Sequence, residues 1–291
     1  MRRVAPALKR AALKPTRRAP GASRQMVVLK LGGELLEQPE DIARVSRGIT
    51  ALAARVPLVV VHGGGREIDA ALASAGIPKQ QVDGLRITDA PTLDVVVAVL
   101  AGAINTRLVS AIRRAGGRPV GLTAADASVA EMKRASPITT VAGDRIDLGL
   151  VGAPVANSRP ELLRALLATG YIPVVACIGA TKTGELLNVN ADTLASHLAA
   201  ALGAKRLVIA GGTAGVLDES GQTIRQLTTR TAGQLIRRGV ANKGMVAKLE
   251  ACRAALRRGV GDVIIANGRV APFKTMTARD PISEACTQVV R

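Results

Sequence analysis

Aromatic side chains are nearly absent from this chain of 291 residues, which has one Tyr, one Phe and no Trp. Proteins that bind single-stranded nucleic acid stack the bases on such rings. Residues 1–25 carry eight basic residues and no acidic one, so that of the net charge of +18 only +10 falls on the rest of the chain. The basic balance therefore does not indicate nucleic acid as the main partner.

Cysteine is scarce, and long apolar runs are also missing. The three cysteines (Cys177, Cys252 and Cys286) are far apart and odd in number, which excludes a disulfide framework and a CxxC pair. Gly, Asp, Arg or Lys interrupts each apolar stretch within the roughly 18 to 20 residues that a membrane span requires. These absences predict a cytoplasmic protein that is not embedded in a membrane.

The N-terminal segment 1–25 is basic and contains Pro6, Pro15 and Pro20, which limit helix formation. It predicts a flexible extension. Its Arg-rich composition without acids resembles a mitochondrial transit peptide, and it lacks the apolar stretch of a secretory signal. We favour a bacterial tail over a transit peptide.

From residue 26 onward, runs rich in Val, Ile and Leu alternate with helical patterns, which is typical of an α/β fold with a largely parallel sheet. The predicted strands are Met26–Leu31, Pro57–His62, Arg118–Thr123, Tyr171–Ile178, Lys205–Ala210 and Asp262–Ala266. Ala191–Leu202 has helical spacing, and Val129–Val155 predicts a β-hairpin insertion. A Gly/Thr/Lys loop at 179–184 divides the chain into two predicted lobes, 26–178 and 179–291.

Glycines follow two of the predicted strands. Lys30-Leu31-Gly32-Gly33 and His62-Gly63-Gly64-Gly65 each end a strand and are expected to open a helix, at the sheet edge where α/β proteins bind ligands. Backbone N–H groups at such turns can approach an anion closely, which favours a phosphate ligand. A tight turn without a ligand is the alternative. Neither GxxxxGK[ST] nor GxGxxG is present.

Polar residues in three further segments are candidate ligand contacts. Arg86 can grip a carboxylate through two parallel hydrogen bonds, and Asn188 can bind the same ligand. Asp89 and Asn190 are equally explained as helix N-caps. The segment 243–248 opens a helix with a lysine in its first turn, where the helix dipole disfavours a cation, which favours a functional role for that lysine. A solvated surface lysine is the alternative.

Five motifs in this order resemble the amino acid kinase family. They are LKLGGE (29–34), VVVHGGG (59–65), GLRITDA (84–90), NVNAD (188–192) and GMVAKLEAC (244–252). The resemblance runs from Val27 to Gly268 and implies an open αβα sandwich with a mainly parallel central sheet. It also implies an N-terminal lobe that holds an acylated amino acid and a C-terminal lobe that holds ATP.

The resemblance also implies a reaction and a set of site residues. The reaction is the transfer of phosphate from MgATP to the side-chain carboxylate of N-acetyl-L-glutamate, in arginine biosynthesis, with Mg²⁺ held mainly by the phosphates and no dedicated metal site. The implied residues are Lys30, Lys248 and Asp192 for catalysis; Gly63, Gly64, Arg86 and Asn188 for the substrate; and Gly32, Gly33, Gly211, Gly212, Thr213 and Gly244 for the nucleotide. Gly32, Gly33, Gly63 and Gly64 are expected to supply N–H donors. We interpret His62 as structural and His197 as a surface or packing residue.

The chain departs from the family on the nucleotide side. Gly211-Gly212-Thr213 stands where an aspartate is common, Lys243 stands where a glycine precedes Gly244, and the family's usual ending is hard to trace after Gly268. Two alternatives therefore stay open. One is a related kinase for an N-acylated aminoadipate or a carrier-linked amino acid, and the other is a weakened regulatory paralogue. A small-molecule substrate and a homo-oligomer are the expected partners.

Overall fold

A computed structural model describes residues 25–140, 143–156, 158, 160–239, 243–270, 272–283 and 285–291. All but the last residue of the predicted N-terminal extension lies outside this part of the chain.

The described chain has eight α-helices and sixteen strands. The strands are β1 (Val27–Leu31), β2 (Leu58–His62), β3 (Gln81–Val82), β4 (Leu85–Arg86), β5 (Pro119–Thr123), β6 (Glu131–Arg134), β7 (Ile138–Thr139), β8 (Arg145–Ile146), β9 (Val151–Pro154), β10 (Ile172–Ala176), β11 (Ile178–Thr181), β12 (Leu186–Val189), β13 (Arg206–Gly211), β14 (Gln226–Thr228), β15 (Asp262–Asn267) and β16 (Cys286–Val290). The helices are α1 (Pro39–Ala53), α2 (Gly65–Ser74), α3 (Ala90–Val97), α4 (Asn105–Arg114), α5 (Glu161–Ala168), α6 (Ala191–Leu202), α7 (Thr229–Arg237) and α8 (Lys243–Arg257).

Eight strands form one central sheet in the order β14-β16-β15-β13-β1-β2-β10-β5. All neighbours are parallel except β15 and β16, so the expected α/β class with a mainly parallel sheet is confirmed. The central strands β1 and β2 are buried along their whole length. They read as continuous apolar runs because helices cover both faces of such a sheet.

Five of the six predicted strands are present within a residue or two of their predicted ends. The sixth, predicted over 171–178, is wrong as a single strand because the chain breaks at Cys177. There β10 ends, and β11 leaves the central sheet to pair with β12 and β6. The Cys177 thiol donates to the carbonyl of His62 at 3.0 Å, which holds the break against the neighbouring strand.

Strand β14, at the edge of the sheet, and its neighbour β16 were not predicted. β14 has only three residues, and β16 contains the polar residues Thr287 and Gln288. Its antiparallel pairing with β15 depends on a connection that returns the chain along the sheet edge, which local patterning does not encode.

The segment predicted as a β-hairpin insertion forms two antiparallel strand pairs. Strands β6 and β9 pair antiparallel, as do β7 and β8. With β11 and β12, β6 and β9 close into a four-stranded barrel. The central sheet draws four strands from each side of the predicted lobe boundary, so the division at 178 stays a prediction.

Helix α6 begins and ends as its pattern predicts. The Asn190 side chain accepts from the backbone N–H of Asp192 and Thr193, and Gly203 ends the helix with φ of 69°. The predicted apolar stripe of Leu194, Ala195, Leu198, Ala199 and Leu202 is buried. Asp89 likewise caps α3 by accepting from the N–H of Thr92 at 2.9 Å.

One helix corrects the expectation about apolar runs. Helix α3, a π-helical segment (Ala98–Ile104) and α4 form 25 continuous helical residues, and an 18-residue stretch within them has a mean hydropathy of 1.9, so that the helix is long and apolar enough to span a membrane by length and composition. Glycine and single charged residues do not interrupt such a helix. One face buries Leu100, Ile104 and Leu108 in the core, as the core helix of a globular domain does.

A buried ion pair joins β13 to β15 at the sheet edge opposite the glycine turns. Arg206 is 4% exposed and donates to both oxygens of Asp262, at 2.8 and 2.6 Å. We expect Arg206→Leu to lower the free energy of unfolding by about 3 kcal/mol, because it leaves Asp262 without its cation. Urea unfolding measures the change.

Arg55→Leu is the matched control for this prediction. Arg55 also contacts its partner Asp280 through two hydrogen bonds, but on the surface, and should be nearly neutral. Equal losses of stability in the two variants would contradict the role assigned to burial.

Candidate functional site

Three neighbouring parallel strands end in glycine turns. Leu31 of β1 lies in register with Ala210 of β13 and with His62 of β2. The turns after these strands therefore lie side by side at the carboxyl edge of the sheet. A Cβ on Gly33 would lie only 2.9 Å from the Cα of Gly64, so the first two turns can approach this closely only as glycine.

The expected supply of N–H donors needs correction at two glycines. The Gly32 N–H donates to the carbonyl of Ala210 at 2.8 Å, and the Gly63 N–H donates to the carbonyl of Leu31 at 3.2 Å. The parallel ladder thus continues one residue past each strand and uses these donors. Gly32 and Gly63 supply space rather than hydrogen bonds.

The first glycine turn also differs from the expected strand-to-helix turn. After β1 the chain makes a single 3-10 turn over Gly33–Leu35, and α1 begins only at Pro39. The second turn does open a helix, since α2 starts at Gly65. The positive end of a helix dipole therefore lies directly after β2 and not after β1.

Two lysines and an aspartate from distant segments meet beside these turns. Lys30 Nζ lies 2.9 Å from Asp192 Oδ1, and Lys248 Nζ lies 3.9 Å from Asp192 Oδ2. Lys30 belongs to β1, Asp192 to the first turn of α6, and Lys248 to α8. The structure thus brings together the three residues that the motifs predict for catalysis.

Charge pairing decides the protonation of this cluster. Burial alone would lower the pKa of Lys30, but the adjacent Asp192 carboxylate outweighs it and raises that pKa above its usual value. Burial would raise the pKa of Asp192, yet Lys30 and Lys248 lower it. Lys30 and Asp192 are therefore held as a charged pair at neutral pH.

A cavity of about 260 Å³ lies next to the cluster. All four residues predicted for the substrate line it, namely Gly63, Gly64, Arg86 and Asn188. Asn190 and Ala191, which directly precede Asp192, also line it. Its size suits a small metabolite rather than a polymer.

Arg86 lines the cavity and is held by contacts of its Nη2. Its Nη2 donates to Asp69 Oδ1 and, at 3.4 Å, to the carbonyl of Gly65. Its Nη1 is buried and has no hydrogen-bond partner among the described residues. Asp69 also accepts from Lys79 at 2.7 Å. Sequence reasoning missed Asp69 and Lys79, and no motif marks them.

Asn188 also has a partner that the sequence reasoning missed. Its Nδ2 donates to the hydroxyl of Thr88 at 3.1 Å. Thr88 is fully buried, and it lies in the GLRITDA motif without an assigned role. This bond fixes the amide of Asn188 at the cavity wall.

His62 is structural, as interpreted. Its Nδ1 lies 3.2 Å from the carbonyl of Gly63, and its Nε2 lies 3.0 Å from the Asn105 amide nitrogen. Burial lowers its pKa to about 4, so the ring is neutral and its Nε2 accepts from Asn105. The neutral ring thus supports the second glycine turn through its contact with Gly63.

His197 is a packing residue rather than a surface residue. It is 2% exposed on α6, and Arg258 lies 3.1 Å from its Nδ1. Burial, with the Arg258 charge, lowers its pKa to about 4.

The residues predicted for the nucleotide are more dispersed. Gly211 is buried at the end of β13, whereas Gly212, Thr213 and Gly244 are exposed. The Lys248 Nζ lies 3.5 Å from the carbonyl of Gly244, which places the start of α8 beside the lysine cluster. No contact joins Thr213 to the cluster among the described residues.

Parallel strands that end in glycine turns around two lysines define an α/β protein suited to bringing two anions together. The sequence profile of the amino acid kinase family matches residues 25–267, and the chain belongs to this family.

Relatives and solved structures agree with this assignment. The chain is 41% identical to the acetylglutamate kinase of Zymomonas mobilis over 251 residues, covering 84% of this chain and 83% of that protein. It is 42% identical to the acetylglutamate kinase of Caulobacter vibrioides over 261 residues, covering 84% of each.

Two solved structures share the fold. N-acetylglutamate synthase from Neisseria gonorrhoeae, complexed with coenzyme A and N-acetyl-glutamate, has a TM-score of 0.76 at 23% identity over 92% of this chain and 59% of that one. Carbamate kinase from Giardia lamblia bound to AMP-PNP has a TM-score of 0.66 at 14% identity over 93% and 99%.

The buried His62 predicts a dependence of stability on pH. Because its pKa is about 4 when folded and about 6.5 when unfolded, the unfolded chain binds more protons between these values. The contribution of His62 to the free energy of unfolding is therefore fully present above pH 6.5 and is lost as the pH drops towards 4. The loss amounts to roughly 3 kcal/mol at most.

Urea unfolding between pH 4 and 8 checks this expectation. His62→Gln keeps an acceptor for Asn105 and cannot titrate, so its pH dependence should be shallower by this amount. The pH dependence of His197→Gln is measured for comparison, because this variant removes a second histidine with a pKa of about 4. Superimposable pH curves for the wild type and His62→Gln would contradict the assignment.

Proposed function

We propose that this protein is an acetylglutamate kinase, which transfers the γ-phosphate of ATP to the side-chain carboxylate of N-acetyl-L-glutamate and forms an acyl phosphate for arginine biosynthesis. The observation that carries the proposal is the Lys30–Asp192–Lys248 cluster beside a cavity lined by Arg86. The acetylglutamate kinases that match over most of the chain support it.

The chemistry needs positive charge more than it needs a base. A glutamate-type carboxylate has a pKa near 4.3 and is already ionised at pH 7. The barrier lies in bringing this anion against a polyphosphate, and fixed cations lower it. Lys30 and Lys248 supply those cations from two sides. Asp192 binds both and keeps them at a fixed separation.

The cavity would hold the amino acid end of the substrate. Arg86 lines the cavity and its guanidinium would bind the α-carboxylate, while Asp69 holds its Nη2. Asn188, oriented by Thr88, would bind the acetamido group. The side-chain carboxylate would then extend past Gly63 and Gly64 towards Lys30.

The nucleotide would lie on the other side of the lysine cluster. Gly33, Gly211, Gly212, Thr213 and Gly244 would contact its phosphates. A bound Mg²⁺ would neutralise phosphate charge. The described residues contain no group of three or more His, Cys, Asp or Glu side chains that could hold a metal. We expect the ion to be held mainly by the phosphates.

The alternatives differ in what they predict for a substrate panel. A hydroxylamine trap with MgATP should show acyl phosphate from N-acetyl-L-glutamate and much less from N-acylated aminoadipate or a carrier-linked amino acid. A preference for one of the others would replace the proposed substrate. No product from any acceptor would favour the regulatory paralogue, which the missing nucleotide-side aspartate also favours.

Two finer expectations accompany the proposal. The enzyme is expected in the cytoplasm, with N-acetyl-L-glutamate as its partner and without membrane or nucleic-acid partners. It is also expected to be a homo-oligomer, which light scattering after gel filtration measures directly.

The lysines carry the first test of the mechanism. We expect Lys30→Ala and Lys248→Ala each to lower kcat at least about a hundredfold, because each removes charge stabilisation made mainly in the transition state. Binding of acetylglutamate, measured by calorimetry, should change little. Lys182→Ala, on the exposed turn between β11 and β12, is the control. Near wild-type kcat in both cluster variants would mean that the reaction occurs elsewhere.

Arg86 carries the second test. Arg86→Ala should raise the KM for acetylglutamate at least about tenfold and leave the KM for ATP nearly unchanged, because a charged contact to the α-carboxylate is lost. Arg86→Lys should not restore it, since a lysine lacks the second nitrogen that engages Asp69. Arg66→Ala, an exposed arginine on α2, is the control. Equal increases in both KM values would indicate a role in folding instead.

A further inference from the structure

Glu34 lies between two of the glycine turns, and its side chain has no part in the proposed reaction. Its Oε1 accepts a hydrogen bond from the Gly212 N–H at 2.8 Å. A Cβ built on Gly32 would overlap the same carboxylate, and one on Gly211 would lie 2.9 Å from Oε1. The carboxylate therefore fills the gap between the turn after β1 and the turn after β13.

This gap lies close to the two lysines of the site, Lys30 and Lys248. The charge of Glu34 helps to raise the pKa of Lys30, so its field reaches the lysine cluster. A Cβ on Gly211 would also lie 4.0 Å from Lys248 Cε. The carboxylate thus lies where two glycine turns and two lysines would receive a phosphate group.

A carboxylate in this position would oppose a phosphate in two ways. The Gly212 N–H can serve only one strong acceptor at a time, and backbone N–H groups at glycine are the donors that phosphates use in such turns. A second anion within a few ångströms would also be repelled. Glu34 is half-buried and belongs to a short 3-10 turn, so its side chain is only partly enclosed by the protein.

We propose that Glu34 is an internal competitor for the nucleotide phosphates, which occupies the Gly212 N–H in the free protein and must leave it when ATP binds. This inference rests on the proposed function, since it concerns the same nucleotide site. It assigns Glu34 as a residue that sets ATP affinity. It also explains how the turn 211–213, which lacks the aspartate common in the family, is held in place without a nucleotide.

Calorimetric titration of the full chain with ATP tests the proposal through binding alone. Glu34→Ala should lower the Kd for ATP at least about fivefold, and Glu34→Gln, which keeps the shape without the charge, should lower it by a smaller factor. The gain should shrink at high salt, because part of it is relief of repulsion. Tripolyphosphate, which lacks the nucleoside, should show the same order of affinities.

Glu40→Gln is the matched control, since it removes a nearby exposed carboxylate at the start of α1 and should leave the Kd unchanged. Unchanged or weaker ATP binding in both Glu34 variants would overturn the proposal, and weaker binding only with Mg²⁺ present would make Glu34 a metal ligand instead. Thermal unfolding identifies any variant that fails to fold. If Glu34→Ala does not fold, the ATP affinity of Glu34→Gln decides the test.

The hydroxylamine assay on the same samples separates this proposal from the proposed function. Acetylglutamate phosphorylation by the wild type with unaltered Kd in the Glu34 variants would overturn only the role of Glu34. ATP binding by Glu34→Ala but not by the wild type would support the competitor even if no product forms. Absence of ATP binding in every protein would overturn both.

Discussion

Asp192 lies between Lys30 and Lys248 at the carboxyl edge of the sheet, and the rest of the site depends on this arrangement. Burial by itself would lower the pKa of Lys30, because burial penalises the charged form. Asp192 would be equally unfavourable alone. Each charge therefore requires the other, and the pair ties β1 to the first turn of α6. Lys248 joins α8 to the same carboxylate.

The glycine turns make this meeting of segments sterically possible. Gly33 and Gly64 touch through their backbones, and a Cβ on Gly64 would overlap Ile104 in the π-helical segment. The neutral His62 supports the second turn from inside the core. Close packing thus leaves little freedom at the strand ends, which keeps the charged groups in position.

The two sides of the lysine cluster differ in how completely they are formed. On the substrate side, Asp69 and Thr88 hold Arg86 and Asn188 against a defined cavity. On the nucleotide side, Gly212, Thr213 and Gly244 are exposed, and the carboxylate of Glu34 lies against the turn. The chain's departures from its family fall on this second side as well.

The sequence by itself determined the fold class, because long buried strands and amphipathic helices have patterns that depend only on their own residues. The sequence predicted the bounds of β1, β2 and α6 closely. Its motifs marked Lys30, Asp192 and Lys248 as the predicted catalytic residues. It could not predict β14 or β16, whose pairing depends on how the chain returns to the sheet after β13 and β15. It also treated Tyr171–Ile178 as one strand, since apolar composition continues through the break at Cys177.

Tertiary structure alone decided the partners of the site residues. Asp69 beside Arg86, Thr88 beside Asn188 and Glu34 beside Gly212 are contacts between segments separated by 17, 100 and 178 positions. No local pattern records such distances. The N–H groups of Gly32 and Gly63 were expected to be free, but the register of β1 with its neighbours uses them. Hydrogen bonding between strands is a property of the assembled sheet, which is why only the structure shows which donors remain.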